Sequence, residues 1–290
     1  MKRKNQIFGF LLLLPLLLLI GIFLVYPFIS VIRISFYTTQ FGFGKMEYSG
    51  LKNFFSLFKD EVFRISLKNS FIWTIGSLAL QLIIPLGLAL LLNKEFKGDA
   101  LVKTVILIPW ITPVVGVAMM TRWILEPQLG LANKILLKIG LIHQPINFLG
   151  SPNYALFTLL IISSWQFIPF GTLLLLAALQ TIPPNVYDAI QVDGANSWQT
   201  LRYLIFPMIG SMIGFVFFLA FVWNFNTFAL IWMTTKGGPV NSTMTLPVLI
   251  YRRAFKAFNM GEAAAIATMI GLFLVVIGFI FFKYLWRRTS

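Results

Sequence analysis

Apolar residues fall in six long runs, at residues 7–32, 70–92, 105–121, 154–180, 208–234 and 263–282, and none of the six contains Asp, Glu, Lys or Arg. A helix needs roughly 20 predominantly apolar residues to cross a bilayer, and each run meets or approaches that length. The pattern predicts an all-α integral membrane protein with six transmembrane helices, organised as a single transmembrane domain over residues 1–290. The third run is short and carries Pro109, Pro113 and Gly116, so a bent span is expected, its freed carbonyls satisfied by neighbouring helices rather than by lipid. The outer connector over 35–68 has Gly42, Gly44 and Gly50 as turn signals and a surface helix across 51–58. A second outer connector, 126–152, holds a helix-like stretch at 131–139 that is too short to span and is expected to lie along the surface. Inner connectors occupy 93–103 and 181–207, the second predicting a short polar helix exposed to water.

Composition supports the bilayer placement, since 58% of residues are hydrophobic and only 11% charged, the charges clustering between the runs. Met1-Lys2-Arg3-Lys4 ahead of an apolar run imitates a secretory signal, but the run is too long and lacks a small-residue cleavage site, so it reads as an uncleaved first span. An even number of spans puts both termini on one side. The basic ends, Lys2-Arg3-Lys4 and Lys283 with Arg287-Arg288, place that side in the cytoplasm of a bacterial-type cell (inner) membrane. Raw counting alone does not settle orientation, because Arg33, Lys45, Lys52 and others load the outer connectors. The net charge of +14 is scattered without a basic patch or nucleic-acid motif, so membrane lipid is the expected partner and nucleic acid is not. An anionic substrate or an acidic receptor outside stays open as a second explanation of that charge.

Several chemistries drop out. A phosphate-cradling G-x-x-x-x-G-K-[ST] loop is absent, so ATP cannot bind in the P-loop manner. Spans without ionisable side chains disfavour coupling to protons or sodium. One histidine, His143, and no cysteine leave neither a clustered metal site nor a thiol nucleophile. No catalytic residue, metal or cofactor is therefore expected in this chain.

In the 181–207 connector, Pro183 and Pro184 can occupy the first turn of a helix, Asp188 lies near its positive end, and Gly194 can take the left-handed cap. Taken locally, an amphipathic connector capped by proline and glycine would read the same way. Its spacing resembles the EAA motif of binding-protein-dependent ABC importer permeases, an E-A-A triplet followed three residues later by Gly and further on by an I-x-L-P-like ending. Here the triplet is Asp188-Ala189-Ile190, the glycine is Gly194, and the ending is Leu204-Ile205-Phe206-Pro207. Asp188 stands where the family usually has Glu, and Ile190 replaces the second alanine. A second set of residues is similar to the carbohydrate-importer permeases of the maltose and glycerol-phosphate type. It comprises Thr234-Thr235-Lys236-Gly237-Gly238-Pro239, Ser242-Thr243-Met244-Thr245-Leu246-Pro247, Gly261-Glu262-Ala263-Ala264-Ala265, Leu14-Pro15, Tyr26-Pro27 and Gly130-Leu131-Ala132-Asn133. Within that family the chain resembles the maltose-F-like or glycerol-phosphate-A-like member of a permease pair.

The resemblance implies the type I ABC importer permease (MetI-like) fold and a translocation subunit that performs no bond chemistry. It further implies a second permease of the other type, two copies of an ABC ATPase that bind ATP and Mg, an extracytoplasmic solute-binding protein, and a sugar or oligosaccharide substrate. Coupling to the ATPase would run through Tyr187, Asp188, Ala189, Ile190, Asp193, Gly194, Ala195 and Pro207. An importer of a non-carbohydrate solute and a stand-alone channel or facilitator are the alternatives, with a membrane-anchored scaffold behind them.

Helix geometry also suggests a substrate path. Asn224 and Asn226 are two apart and so point in nearly opposite directions, whereas Ala220, Trp223, Asn224 and Thr227 share one helical face. Ser163, Gln166, Phe167 and Phe170 form a similar aromatic and polar stripe beside Pro169. Rings with amides and hydroxyls suit a neutral polyol, although the same groups can simply bond helices to one another. Matching the family's sugar-contacting segments onto the chain selects Gln166, Phe167, Phe170, Ala220, Trp223, Asn224 and Thr227.

Overall fold

The structure, a computed structural model, describes residues 12–39, 46–94 and 96–289. Lys2-Arg3-Lys4, the first residues of the 7–32 run, Gly42, Gly44 and Lys45 lie outside the described residues. Among those described, five helical stretches are long and apolar enough to cross a membrane, Leu12–Ser35, Glu61–Leu92, Ala155–Leu179, Ser197–Thr234 and Met260–Lys283, and a bent pair makes a sixth. The chain divides into two compact units, Met1–Phe63 with Leu249–Phe273, and Arg64–Val248 with Leu274–Ser290.

In the first unit, α1 (Leu12–Ser35) keeps its leucine-rich surface exposed, as a helix built to face lipid does. A short hairpin follows, β1 (Tyr37–Thr39) paired antiparallel with β2 (Met46–Tyr48), where only a loop and turns were expected. The helix α2 (Lys52–Lys59) is tied back by Asn53, whose Nδ2 donates to the Ser35 and Tyr37 carbonyls, both at 2.9 Å. α3 (Glu61–Leu92) begins well ahead of residue 70, where its apolar run starts, because the Asp60 carboxylate caps it by accepting from the Val62 N–H at 2.9 Å. Asp60 also pairs with Arg253, which reaches Glu262 at 3.4 Å.

In the second unit the bent pair is α4 (Asp99–Ile111) and α5 (Val114–Ile124), turned by 90°. A surface helix, α6 (Leu131–Lys138), precedes the long α7 (Ala155–Leu179) and the connector helix α8 (Pro184–Val192). α9 (Phe206–Phe225) follows a π-helical turn, and α10 (Ala229–Thr234) resumes after a break. The chain closes with α11 (Leu246–Tyr251) and α12 (Met260–Thr289); like α3, most of which belongs to the second unit, each crosses the boundary between units.

The core of this unit joins Leu78 and Ala89 of α3, Phe167, Leu175 and Leu179 of α7, and Ile209, Val216 and Ala220 of α9. Helix α7 approaches α3 closely at Gly171, where a Cβ would already stand 3.2 Å from Pro85. Lipid tails are as apolar as leucine, so packing and interhelical hydrogen bonds, not water exclusion, hold such helices together. On α3, Ser66, Ser70, Thr74, Ser77 and Gln81, three or four residues apart, are all buried small or polar side chains, of which Ser70 and Gln81 bond other elements. The same helix fixes the Gly-Gly-Pro connector, since Asn69 Nδ2 donates to the carbonyls of Asn241, Ser242 and Met244 at 3.0 to 3.1 Å and Ser70 Oγ accepts from the Leu246 N–H at 2.8 Å.

Candidate functional site

Two spans of the second unit break, and a cavity opens at the breaks. Between α4 and α5, Pro113 offers no N–H and forces the preceding residue out of the helical region, leaving Thr112 extended at φ −67°, ψ 124°. The Thr112 carbonyl released by this bend accepts from Gln166 Nε2 of α7 at 3.4 Å, a neighbouring helix taking the place that lipid cannot fill. At the second break, Asn226 Nδ2 donates to the Val222 carbonyl at 2.8 Å and Thr227 Oγ1 to the Trp223 carbonyl at 3.1 Å. These side chains occupy the last carbonyls of α9, and α10 restarts only at Ala229.

Residues of both breaks line a cavity of about 660 Å³, within the size range of small-ligand sites. Its aromatic wall is ordered. Trp110 stacks on Phe170 with centroids 5.4 Å apart, and Phe167 meets Phe170 and Trp223 edge to face at 5.6 and 6.4 Å. Gln81, Ser163, Gln166, Asn226 and Thr227 supply amides and hydroxyls, and among the described residues no ionisable side chain lines the space. The chemistry on offer is ring stacking with neutral hydrogen bonding.

Of the seven path residues read from the sequence, Gln166, Phe167, Trp223 and Thr227 line this cavity. Phe170 stands outside the lining and supports Trp110. Ala220 is fully buried, and Asn224, 2% exposed, is bonded to Gln81 and to the Ala220 carbonyl, as helices are glued. Sequence reasoning missed Gln81, Trp110 and Asn226. The buried hydroxyl and amide stripe of α3 was a legible signal for Gln81. Asn226 would face away from Asn224 only on an unbroken helix, and α9 ends at Phe225.

The 181–207 connector presents a different arrangement. Pro183 precedes α8 and Pro184 opens it. Val186 and Tyr187 pack against the apolar core near Ile182 and Ile205, while Asp188, Ala189 and Val192 are exposed. The helix ends as the glycine signal implied: Gly194 adopts φ +79°, its N–H donates to the Gln191 carbonyl at 2.9 Å, and the Ala195 N–H donates to the Ile190 carbonyl at 3.2 Å. Asn196 then starts a new turn through a reciprocal box with Gln199, at 2.8 and 2.9 Å. The structure thus gathers Tyr187, Asp188, Ala189, Ile190, Asp193, Gly194 and Ala195 on one helix and its cap, and places Pro207 apart from them in the first turn of α9. The Tyr187 hydroxyl is buried without a hydrogen-bond partner among the described residues, and this burial pushes its pKa above the usual tyrosine value.

Comparison with known proteins bears on both regions. Residues 81–290 match the family described as "Binding-protein-dependent transport system inner membrane component". The trehalose/maltose transport system permease protein MalF of Thermococcus litoralis is 30% identical over 280 residues, 96% of this chain and 93% of that protein. A solved bacterial ABC transporter involved in import of the acidic polysaccharide alginate has a chain with TM-score 0.83 and 27% identity, covering 99% of this chain and 98% of its own. The bacterial alginate ABC transporter solved with an alginate pentasaccharide-bound periplasmic protein gives TM-score 0.77 and 26% identity, over 97% and 93% of the two chains.

Proposed function

The chain belongs to the family of binding-protein-dependent transport system inner membrane components, and from that premise we propose that it forms half of the passage of an importer for a neutral saccharide. As a permease of this family it translocates and is not an enzyme; ATP hydrolysis resides in a separate subunit. The observation that carries the substrate reading is the cavity at the two span breaks, with Trp110, Phe167 and Trp223 beside Gln166, Asn226 and Thr227 and no ionisable side chain among the described residues. Sugar faces stack on rings while hydroxyls take amide and hydroxyl partners, and discontinuous spans are where transporters build such sites. A trehalose/maltose permease among the relatives supports the same class.

In this reading residues 1–290 act as one transmembrane domain with both termini in the cytoplasm. The chain pairs with a second permease and two copies of an ATPase that hold ATP and Mg, and a loaded external binding protein delivers the sugar. Closure of the ATPases pushes on the exposed face of α8 around Asp188, Ala189 and Val192, and the Gly194 cap carries that push into α9. The permease pair then moves between two states whose populations the ATPases bias. The likeness to the alginate importers favours one second reading, an acidic oligosaccharide, with charge supplied by the partner permease.

The deciding measurement is ATPase activity of the assembled importer, reconstituted with its binding protein, across maltose, trehalose and alginate oligosaccharides. Stimulation by maltose or trehalose supports the neutral reading. Stimulation by alginate alone replaces it with the acidic one, and an assembled complex that ignores all three removes the carbohydrate assignment.

A further inference from the structure

The amide pair that joins α3 to α9 has a direction imposed on it from the backbone. A backbone carbonyl only accepts, so the atom of Asn224 that faces the Ala220 oxygen at 2.8 Å is Nδ2. Its second hydrogen goes to Gln81 Oε1 at 2.6 Å, which leaves Asn224 Oδ1 to accept from Gln81 Nε2 at 3.3 Å. The Gln81 amide therefore has one orientation and not its flip. Its nitrogen carries two hydrogens, of which Asn224 takes one, and among the described residues no other group accepts the second. Gln81 is 1% exposed and is part of the cavity wall. A donor left unpaired in such surroundings carries a desolvation penalty that a ligand oxygen relieves, and a donor already held in place needs no reordering when the ligand arrives.

We propose that Gln81 is a specificity-determining residue that donates a hydrogen bond to a hydroxyl oxygen of the transported sugar, and that Asn224, held by the Ala220 carbonyl, is a positioning residue that aims it. This rests on the reading of the cavity as a saccharide path. It also gives Asn224 and Ala220 a part in recognition without contact with the substrate. A pair that served only to bond two helices would be complete without any ligand, and exchanging its members would restore it.

The test uses the assembled importer in membranes with its binding protein, taking uptake of radiolabelled maltose and trehalose at several concentrations. Gln81→Leu and Asn224→Ala are each expected to raise KM about tenfold, the worth of one well-placed hydrogen bond, with the loss falling in KM and not in the maximal rate. The exchange variant, Gln81→Asn with Asn224→Gln, keeps two amides but shortens the one that reaches the cavity, so it should recover thermal stability of the complex while KM stays raised. Wild-type KM in Gln81→Leu, or full recovery of KM by the exchange, overturns the proposal and leaves the pair as helix glue. Absence of maltose and trehalose uptake by the wild-type importer overturns the neutral-saccharide reading on which this proposal rests, and this proposal with it.

Discussion

In the 181–207 connector each cap is made by residues within five positions of one another, whereas at the cavity Gln81 meets Asn224 across 143 residues of chain. The connector's arrangement is local: one helix, a left-handed glycine, and a second capped turn. The cavity is assembled from breaks in two different spans and a polar stripe on a third. The difference teaches where each kind of site is vulnerable. A single backbone conformation controls the connector, while the cavity depends on several side chains supporting one another.

The largest expected effect lies in the connector. Gly194→Pro is incompatible with φ +79° because proline is locked near −65°, and it also removes the N–H that closes the cap on Gln191. Substrate-stimulated ATPase should fall at least tenfold while the complex still inserts and assembles. Wild-type coupling in this variant would show that the connector does not act through its cap.

A smaller effect is expected at the cavity, where the load is shared. Phe170→Ala removes the ring that Trp110 stacks on, an interaction worth about 0.5–1.5 kcal/mol beyond area burial, so KM for the transported sugar should rise about three- to tenfold. Unchanged KM would mean that the aromatic wall holds its order without Phe170.

The smallest effect returns to the connector. Tyr187→Phe deletes a buried hydroxyl that has no partner among the described residues, so coupling should persist and thermal stability should hold or rise slightly. Burial raises the pKa of this group, so as pH climbs past about 10 the unfolded chain loses its proton first and stability falls. That part of the alkaline loss should vanish in the phenylalanine variant, a difference read from melting curves between pH 9 and 11. An identical alkaline profile would place the Tyr187 hydroxyl in water.

Much of the fold was legible because apolar run length and proline position act locally. Pro113 announced the bend, and the Thr112 carbonyl does find its partner on a neighbouring helix. The hairpin of β1 and β2 was not legible, since three-residue strands carry little pattern. The start of α3 at Glu61 was missed for a related reason: a single cap by Asp60 outweighs the hydropathy that marks a span's edge. In the candidate site, four of the path residues named from the sequence line the cavity: Gln166 and Phe167 on α7, Trp223 on α9, and Thr227 in the break after it. For Asn224 the sequence could not choose, because an amide on a polar helical face looks the same whether it meets a ligand or another amide, and packing bonds it to Gln81.

Read without the fold, the chain already shows that it lives in a bilayer, that its six apolar runs hold no charge, that the 181–207 connector holds a proline-started, glycine-ended helix, and which family it resembles. These follow from residue chemistry acting over a few turns of chain. Packing alone decides that a second span breaks at Asn226, that this break and the one at Pro113 share one cavity, and that Asn224 faces Gln81 and not the cavity. The physical reason is that a buried amide takes whatever partner packing brings within 3 Å or so, and packing between residues 143 positions apart is written in no local stretch of the chain.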